Sequence, residues 1–245
     1  MSAYDSYAAE YGAGRTGYSN DLYNTLVGFG LSQHHRVLDV GCGSGLASEP
    51  LIANNFQVTG VDASEPMLAR ASREFPDASW TVGRAESLPF QDGSFDAAIS
   101  AQAFHHFDRS KAIAEMLRVV RPGGMVAIWW KHLTGDDPVK QLRDSVLTDL
   151  GAELKPSGLG GGFKEFYAAP FAEHRLRVLP WRVVTPASKY LQYERSRKSV
   201  RDALGSQASR YFDTLDARIH EMFGAGDPLV PLSYLQFVYL AKVAS

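Results

Sequence analysis

The segment Val37-Leu38-Asp39-Val40-Gly41-Cys42-Gly43-Ser44-Gly45 constrains this chain more than any other. A short β-rich run breaks into three alternating glycines and then into a helix-length stretch. Glycine reaches positive φ without a Cβ penalty and lets backbone approach a ligand, so strand, glycine turn and helix in that order make a cradle. The surrounding pattern repeats the motif's logic. Strands are expected at 36–40, 57–61, 79–83, 95–100 and 125–130, with helices near 46–55, 65–75 and 110–121 between them. In the last helix Ile113, Met116, Leu117 and Val120 recur at spacings of three and four. Alternation of this kind predicts an α/β fold, a doubly wound and mostly parallel sheet, whose ligands bind beyond the carboxyl ends of the strands.

Beyond residue 130 the reading is less regular. A helix is expected at 137–151, a glycine-rich loop at 157–162, a strand at 174–184, helical segments at 186–193, 198–205 and 209–223, and a last strand at 234–243. Residues 1–245 are expected to form one domain, with 1–30 as an N-terminal lid or helical segment and 185–226 as a helical cap inserted over the sheet.

Composition narrows the function classes. Of 245 residues, 45% are hydrophobic and 21% charged, and there is one cysteine, which excludes a disordered, collagen-like or disulfide-stapled chain. The formal charge of −2 argues against nucleic acid as partner. The total hides a division. Residues 39–96 hold nine acids against three bases, a net −6, whereas 171–201 hold eight bases against two acids, a net +6. The N-terminus lacks a basic start and an apolar stretch, and the longest apolar run is 125–130, so no membrane partner and a cytoplasmic location are expected.

The turn reads GxGxG, and Leu46 stands where a dinucleotide fingerprint would need its third spaced glycine. An acid precedes the turn: Asp39 can meet the amino group of an amino-acid-bearing cofactor. The second strand ends in Asp62, 21 residues after Gly41, where a carboxylate can accept both hydroxyls of a ribose. Together these favour an adenosyl cofactor over NAD.

With these motifs, the adenine-region stretch Gly83-Arg84-Ala85-Glu86-Ser87-Leu88-Pro89-Phe90 and the late Leu117-Arg118-Val119-Val120-Arg121-Pro122-Gly123-Gly124, the chain resembles class I S-adenosylmethionine-dependent methyltransferases of type 11. Ala101-Gln102-Ala103-Phe104-His105-His106-Phe107-Asp108 is similar to a stretch of the trans-aconitate methyltransferase-like branch, as is Tyr7-Ala8-Ala9-Glu10-Tyr11 followed by Arg15 and Tyr18. The resemblance implies a seven-stranded Rossmann-like sheet and S-adenosyl-L-methionine as cofactor, with S-adenosyl-L-homocysteine as product. It implies that Gly41, Gly43 and Gly45 wrap the methionine part with Cys42 in their turn, and that Asp62 holds the ribose. Ala63 and Met67 would flank the adenine, Ala85 and Glu86 bound its edge, and Ala101 and Gln102 lie under the methionine. Arg84 stands where many relatives carry Asp.

His105 and His106 follow the fourth strand, and either could take a proton from an attacking OH or NH. His105 takes the family's histidine position. Tyr7, Tyr11, Arg15 and Tyr18 are candidates for a substrate-side lid, and Trp130, Tyr190, Tyr193 and Arg197 for the acceptor wall. No metal is expected, because His34-His35 and His105-His106 are adjacent pairs without ligand spacing. Cys42 also reads as a small buried filler. The expected activity is methyl transfer to a small-molecule O, N or carboxylate acceptor in metabolite or natural-product biosynthesis. Alternatives are an adenosyl-cofactor-binding protein without transfer and a carboxyl methyl-ester-forming enzyme of trans-aconitate type.

Overall fold

The computed structural model describes residues 14–152 and 164–245. The elements follow one another as α1 (Asn20–Gly28), β1 (Arg36–Val40), α2 (Glu49–Ala53), β2 (Gln57–Asp62), α3 (Glu65–Glu74), β3 (Ser79–Val82) and β4 (Phe95–Ala101). A 3-10 turn (Phe104–His106) leads into α4 (Arg109–Val119), β5 (Val120–Leu133), α5 (Pro138–Asp149) and α6 (Lys164–Ala168). Then come β6 (Phe171–Pro186), α7 (Ala187–Arg195), α8 (Lys198–Leu204), α9 (Ala208–Phe223) and β7 (Leu229–Val243).

Seven strands form one sheet in the order β3-β2-β1-β4-β5-β7-β6. β1 to β5 are parallel; β7 runs antiparallel to both β5 and β6. β1 has β2 on one side and β4 on the other, so the chain winds outward in both directions from it. The crevice at its carboxyl end is where such sheets bind ligands.

Successive strand residues face opposite sides of a sheet, and the core divides accordingly. Leu38, Val40, Ala98, Val126, Ile128 and Trp130 pack under α4. Val37, Val58, Ala97, Ile99, Ala127 and Trp129 pack under α1. A third apolar cluster joins α5 to α7, α8 and α9 through Val146, Tyr190, Leu191, Val200, Tyr211 and Leu215. Of that helical layer, α7, α8 and α9 occupy the sequence between β6 and β7, and α5 joins them from between β5 and β6.

Several helices begin on a capping oxygen: Ser19, Asp108 and Asp137 accept from Leu22, Lys111 and Lys140 N–H groups. Ser19 is tied in turn to β7, because its N–H donates to Gln236 Oε1 at 3.1 Å.

The structure differs from the sequence expectations in extent. The helix expected at 46–55 contracts to Glu49–Ala53, because residues 46–48 remain in the turn and Pro50 sits in the first helical turn. The strands expected at 174–184 and 234–243 extend to Phe171–Pro186 and Leu229–Val243, paired from Phe171↔Val243 to Pro186↔Leu229. β6 is an edge strand, where proline is tolerated, and its stretch 174–178 is exposed throughout, without the alternation that marks a half-buried strand. The loop expected at 157–162 lies outside the described residues.

Candidate active site

At the carboxyl ends of β1, β2, β4 and β5 the structure encloses a cavity of about 420 Å³. The turn after β1 forms its floor. Gly41 and Gly43 adopt φ of 70° and 53°, and a Cβ on Gly41 would stand 2.7 Å from Ala103 Cβ and from Phe107 Cζ. Gly41, Cys42 and Gly43 line the cavity, together with Ser44 and Leu46. Gly45 does not reach it. Its missing Cβ instead leaves room for the Trp80 and Phe75 rings, which a side chain would meet at 2.9 and 3.0 Å.

Two carboxylates face this floor. Asp62 at the end of β2 accepts the Gly43 N–H through Oδ2 and the Ser64 N–H through Oδ1, both at 2.9 Å. These bonds fix the carboxylate and hold the turn in shape. Asp39 is fully buried; Oδ2 accepts the Ser48 hydroxyl at 2.7 Å, and Oδ1 has no partner. Burial pushes its carboxyl up to about 7, opposed by the Ser48 hydrogen bond and reinforced by the Asp62 charge. A buried carboxylate oxygen without a donor is costly unless a ligand supplies one. Burial likewise raises the Cys42 thiol, so the side chain stays protonated and acts as packing.

Ala63, Met67 and Ala85 supply apolar wall on the β2–β3 side, and Glu86 also lines it. Glu86 is already engaged: Oε1 accepts the Asp108 N–H at 3.0 Å and Oε2 pairs with Arg84 at 3.3 Å.

On the β4–β5 side, Ala101 and Gln102 line the cavity, with Ala103 and Phe107 beside them. Gln102 holds a left-handed backbone (φ 56°) because its N–H donates to Trp129 O at 2.9 Å and its Nε2 to Lys131 O at 3.1 Å.

The two histidines separate. His106 faces the cavity, whereas His105 turns toward β5 and its Nδ1 accepts the Trp130 indole N–H at 3.0 Å. Burial, aided by His106, Arg109 and His132, holds His105 down to about 4. Burial lowers His106 as well, against the pull of Asp62. The sequence favours His105, but the 3-10 turn brings the second histidine, not the first, to the cavity wall.

The substrate-side candidates also divide. Arg15, Tyr18 and Tyr193 line the cavity, with the Arg15 guanidinium 5.4 Å from the Tyr193 ring centre and Tyr18 edge-on to Trp129 at 5.7 Å. Trp130 does not line it; it is buried among Phe104, His105 and Tyr239. Tyr190 and Arg197 are absent from the lining too. Both bond the fully buried Glu194, Tyr190 from its hydroxyl at 3.2 Å and Arg197 from Nη1 at 2.8 Å. With Tyr211, which also bonds Glu194, they tie α7 to the start of α8 and to α9. Tyr7 and Tyr11 lie outside the described residues.

Sequence reasoning missed Lys131 and Tyr234, which close the β5–β7 side. Lys131 is the first charged residue after the longest apolar run, at a strand's carboxyl end, and that position was the available signal. Burial, with Arg15 and Lys189 adding, brings its ammonium down to about 7. Tyr234 carried no signal, because its place depends on the antiparallel return of β7.

A glycine turn at the switch point of a 3-2-1-4-5-7-6 sheet, with acids ending β1 and β2, defines a nucleotide-type cofactor enzyme of the Rossmann-like class. A family model described as a methyltransferase domain matches residues 38–128. An uncharacterised methyltransferase of Synechocystis is 31% identical over 159 residues, covering 58% of this chain and 75% of the relative. One from Mycobacterium bovis is 32% identical over 142 residues, 58% of this chain, and the match spans only 56% of that relative's length. Among solved structures, one from Anaeromyxobacter dehalogenans described as a type II methyltransferase superposes with a TM-score of 0.75 at 24% identity, covering 94% of this chain and 98% of that one. The chain belongs to the class I S-adenosylmethionine-dependent methyltransferase family. Among the described residues no helix is long and apolar enough to cross a membrane.

Proposed function

We propose that this protein transfers a methyl group from S-adenosylmethionine to a small-molecule acceptor. The observation that carries the reading is the pair of acids on one cavity: Asp62 fixed by the glycine turn, and Asp39 with an unpartnered buried oxygen. The lining fits the cofactor. Asp62 stands at the strand end where a carboxylate meets ribose hydroxyls, Ala63, Met67 and Ala85 offer apolar wall for an adenine, and Asp39 Oδ1 matches an ammonium. Arg15 offers a guanidinium to a carboxylate.

When bound, the sulfonium supplies an already activated methyl carbon. The protein's task is then orientation, worth roughly 7–11 kcal/mol of barrier when the nucleophile is held in line. Gln102, fixed by two hydrogen bonds to β5, shapes the floor where β4 ends. His106 is the imidazole that faces the cavity, held neutral by burial, so it can accept a proton from an attacking OH or NH. A carboxylate acceptor needs no base, and His106 would then orient it. Tyr18, Tyr193 and Tyr234 give the acceptor side aromatic walls.

Calorimetric titration with S-adenosylhomocysteine and NAD tests the cofactor, and a mass-spectrometric search for +CH2 products across carboxylate, phenol and heterocyclic nitrogen acceptors tests the transfer. Saturable binding of S-adenosylhomocysteine and a methylated product are expected. Binding of NAD alone would replace the cofactor assignment; cofactor binding with no product from any acceptor would favour a binding protein.

A further inference from the structure

Lys131 stands at the carboxyl end of β5 with its charge removed from water. Its Nζ donates to the Thr16 carbonyl, to Thr16 Oγ1 at 2.9 Å and to the Gly17 carbonyl at 2.6 Å. The rings of Tyr18, Trp181 and Tyr234 surround it at 4.9, 5.2 and 5.2 Å. Three ammonium hydrogens thus meet three oxygens, and the ring faces take the place of bulk solvent. The charges that act most on Nζ, Arg15 and Lys189, are both positive. Burying a cation this way is expensive unless the shell is built for it.

The geometry shows what the shell accomplishes. Two of the three acceptors are backbone carbonyls, so the lysine fixes the path of residues 16–17 whatever their side chains. Residues 15–19 belong to no helix or strand, yet Arg15, Thr16 and Tyr18 all line the cavity. The segment is also held at both ends and by its side chains: Gly14 packs on the backbone of Lys189 and Tyr193, Ser19 is tied to Gln236, Arg15 lies over the Tyr193 ring and Tyr18 meets Trp129 edge-on.

We propose that Lys131 is a positioning residue for the methyl transfer: its ammonium clamps the Thr16–Gly17 backbone and thereby sets Arg15 and Tyr18 as the wall that closes the cavity on its β5–β7 side. The inference rests on the proposed reading only for the identity of the ligand enclosed.

Two measurements on the full chain test it. The first is the rate at which trypsin cuts the Arg15–Thr16 bond, followed by mass spectrometry of the released N-terminal peptide, in wild type and in Lys131→Met. The second is a double-mutant cycle on S-adenosylhomocysteine affinity using Lys131→Met, Arg15→Ala and the pair. Cleavage should rise at least about tenfold in Lys131→Met, and each single substitution should weaken binding about tenfold, with the pair little worse than either alone. A general loss of packing would not make Arg15→Ala silent in the Lys131→Met background. Unchanged cleavage, or multiplying effects on affinity, would overturn the proposal. Should Lys131→Met not fold, Lys131→Gln, which keeps two donors without charge, serves in the same cycle with smaller changes of the same direction. If wild type binds no S-adenosylhomocysteine, the methyl-donor reading fails, and the trypsin rates still decide whether the clamp exists.

Discussion

Asp39 has one carboxylate oxygen satisfied by Ser48 and one satisfied by nothing, in a place no water-exposed acid occupies. That asymmetry has a measurable consequence. Its carboxyl is raised from an ordinary value near 3.8 to about 7, so the neutral form is favoured in the folded protein. The stability this contributes is present in full below 3.8 and is lost as pH rises through about 7. An ammonium at Oδ1 stabilises the ionised form instead and expels the proton. S-adenosylhomocysteine affinity should therefore strengthen as pH rises from about 5.5 toward 7, by up to roughly tenfold per pH unit for one linked proton. Titration at pH 6 in buffers of different ionisation enthalpy should show proton release in wild type and none in Asp39→Asn. Equal proton release in both would remove Asp39 from the ligand's contacts. The position of this acid was legible from sequence, two residues before a glycine turn. The division between His105 and His106 was not, since identical neighbours differ only in where a three-residue turn points them.

The elements that were legible are those with strong periodicity: β1, β2, β4 and the helices after them combine a buried face with punctuation by glycine or a cap. Those misjudged lack one of the two. β6 runs exposed and charged over 174–178 and half-buries one face from Leu179 onward, and the start of β5 follows α4 with no intervening loop, so neither boundary carried an apolar signature. Two glycines on adjacent segments, Gly41 in the turn after β1 and Gly60 on β2, do different work. Gly41 borders the cavity at φ 70°, whereas Gly60 on β2 makes room for Trp80 and Cys42, which a Cβ would meet at 2.4 and 2.8 Å. Gly41→Ala is expected to cost about 1–3 kcal/mol in urea unfolding through its left-handed strain, and in addition to weaken S-adenosylhomocysteine binding about tenfold or more. Gly60→Ala should lower stability comparably with a smaller effect on affinity. If both variants bind as wild type does, the turn does not approach the ligand.

Linear charge told less about the whole molecule than it promised. Of the eight bases in the +6 stretch, Arg175, Arg177 and Arg182 lie on the edge strand β6, and Arg197 is held by Glu194 of α7. The basic side chains that line the cavity are instead Arg15, Arg84 and Lys131, from three stretches far apart in sequence. A count along the chain cannot register faces, and a site assembled from four distant stretches is visible only once the sheet has closed. Those stretches are the N-terminal segment, the ends of β1 to β5, α7 through Tyr193, and β7 through Tyr234. Ligand binding should couple them. At a concentration about 100 times the dissociation constant, S-adenosylhomocysteine adds roughly 2.7 kcal/mol to the bound state. Amide hydrogen exchange is accordingly expected to slow in residues 15–19 and around 193 and 234 as well as across 41–67, while the outer edge at 174–184 keeps its local opening rate. Slowing confined to 39–107 would mean that the glycine cradle binds alone and that the N-terminal wall and the cap take no part in holding the ligand.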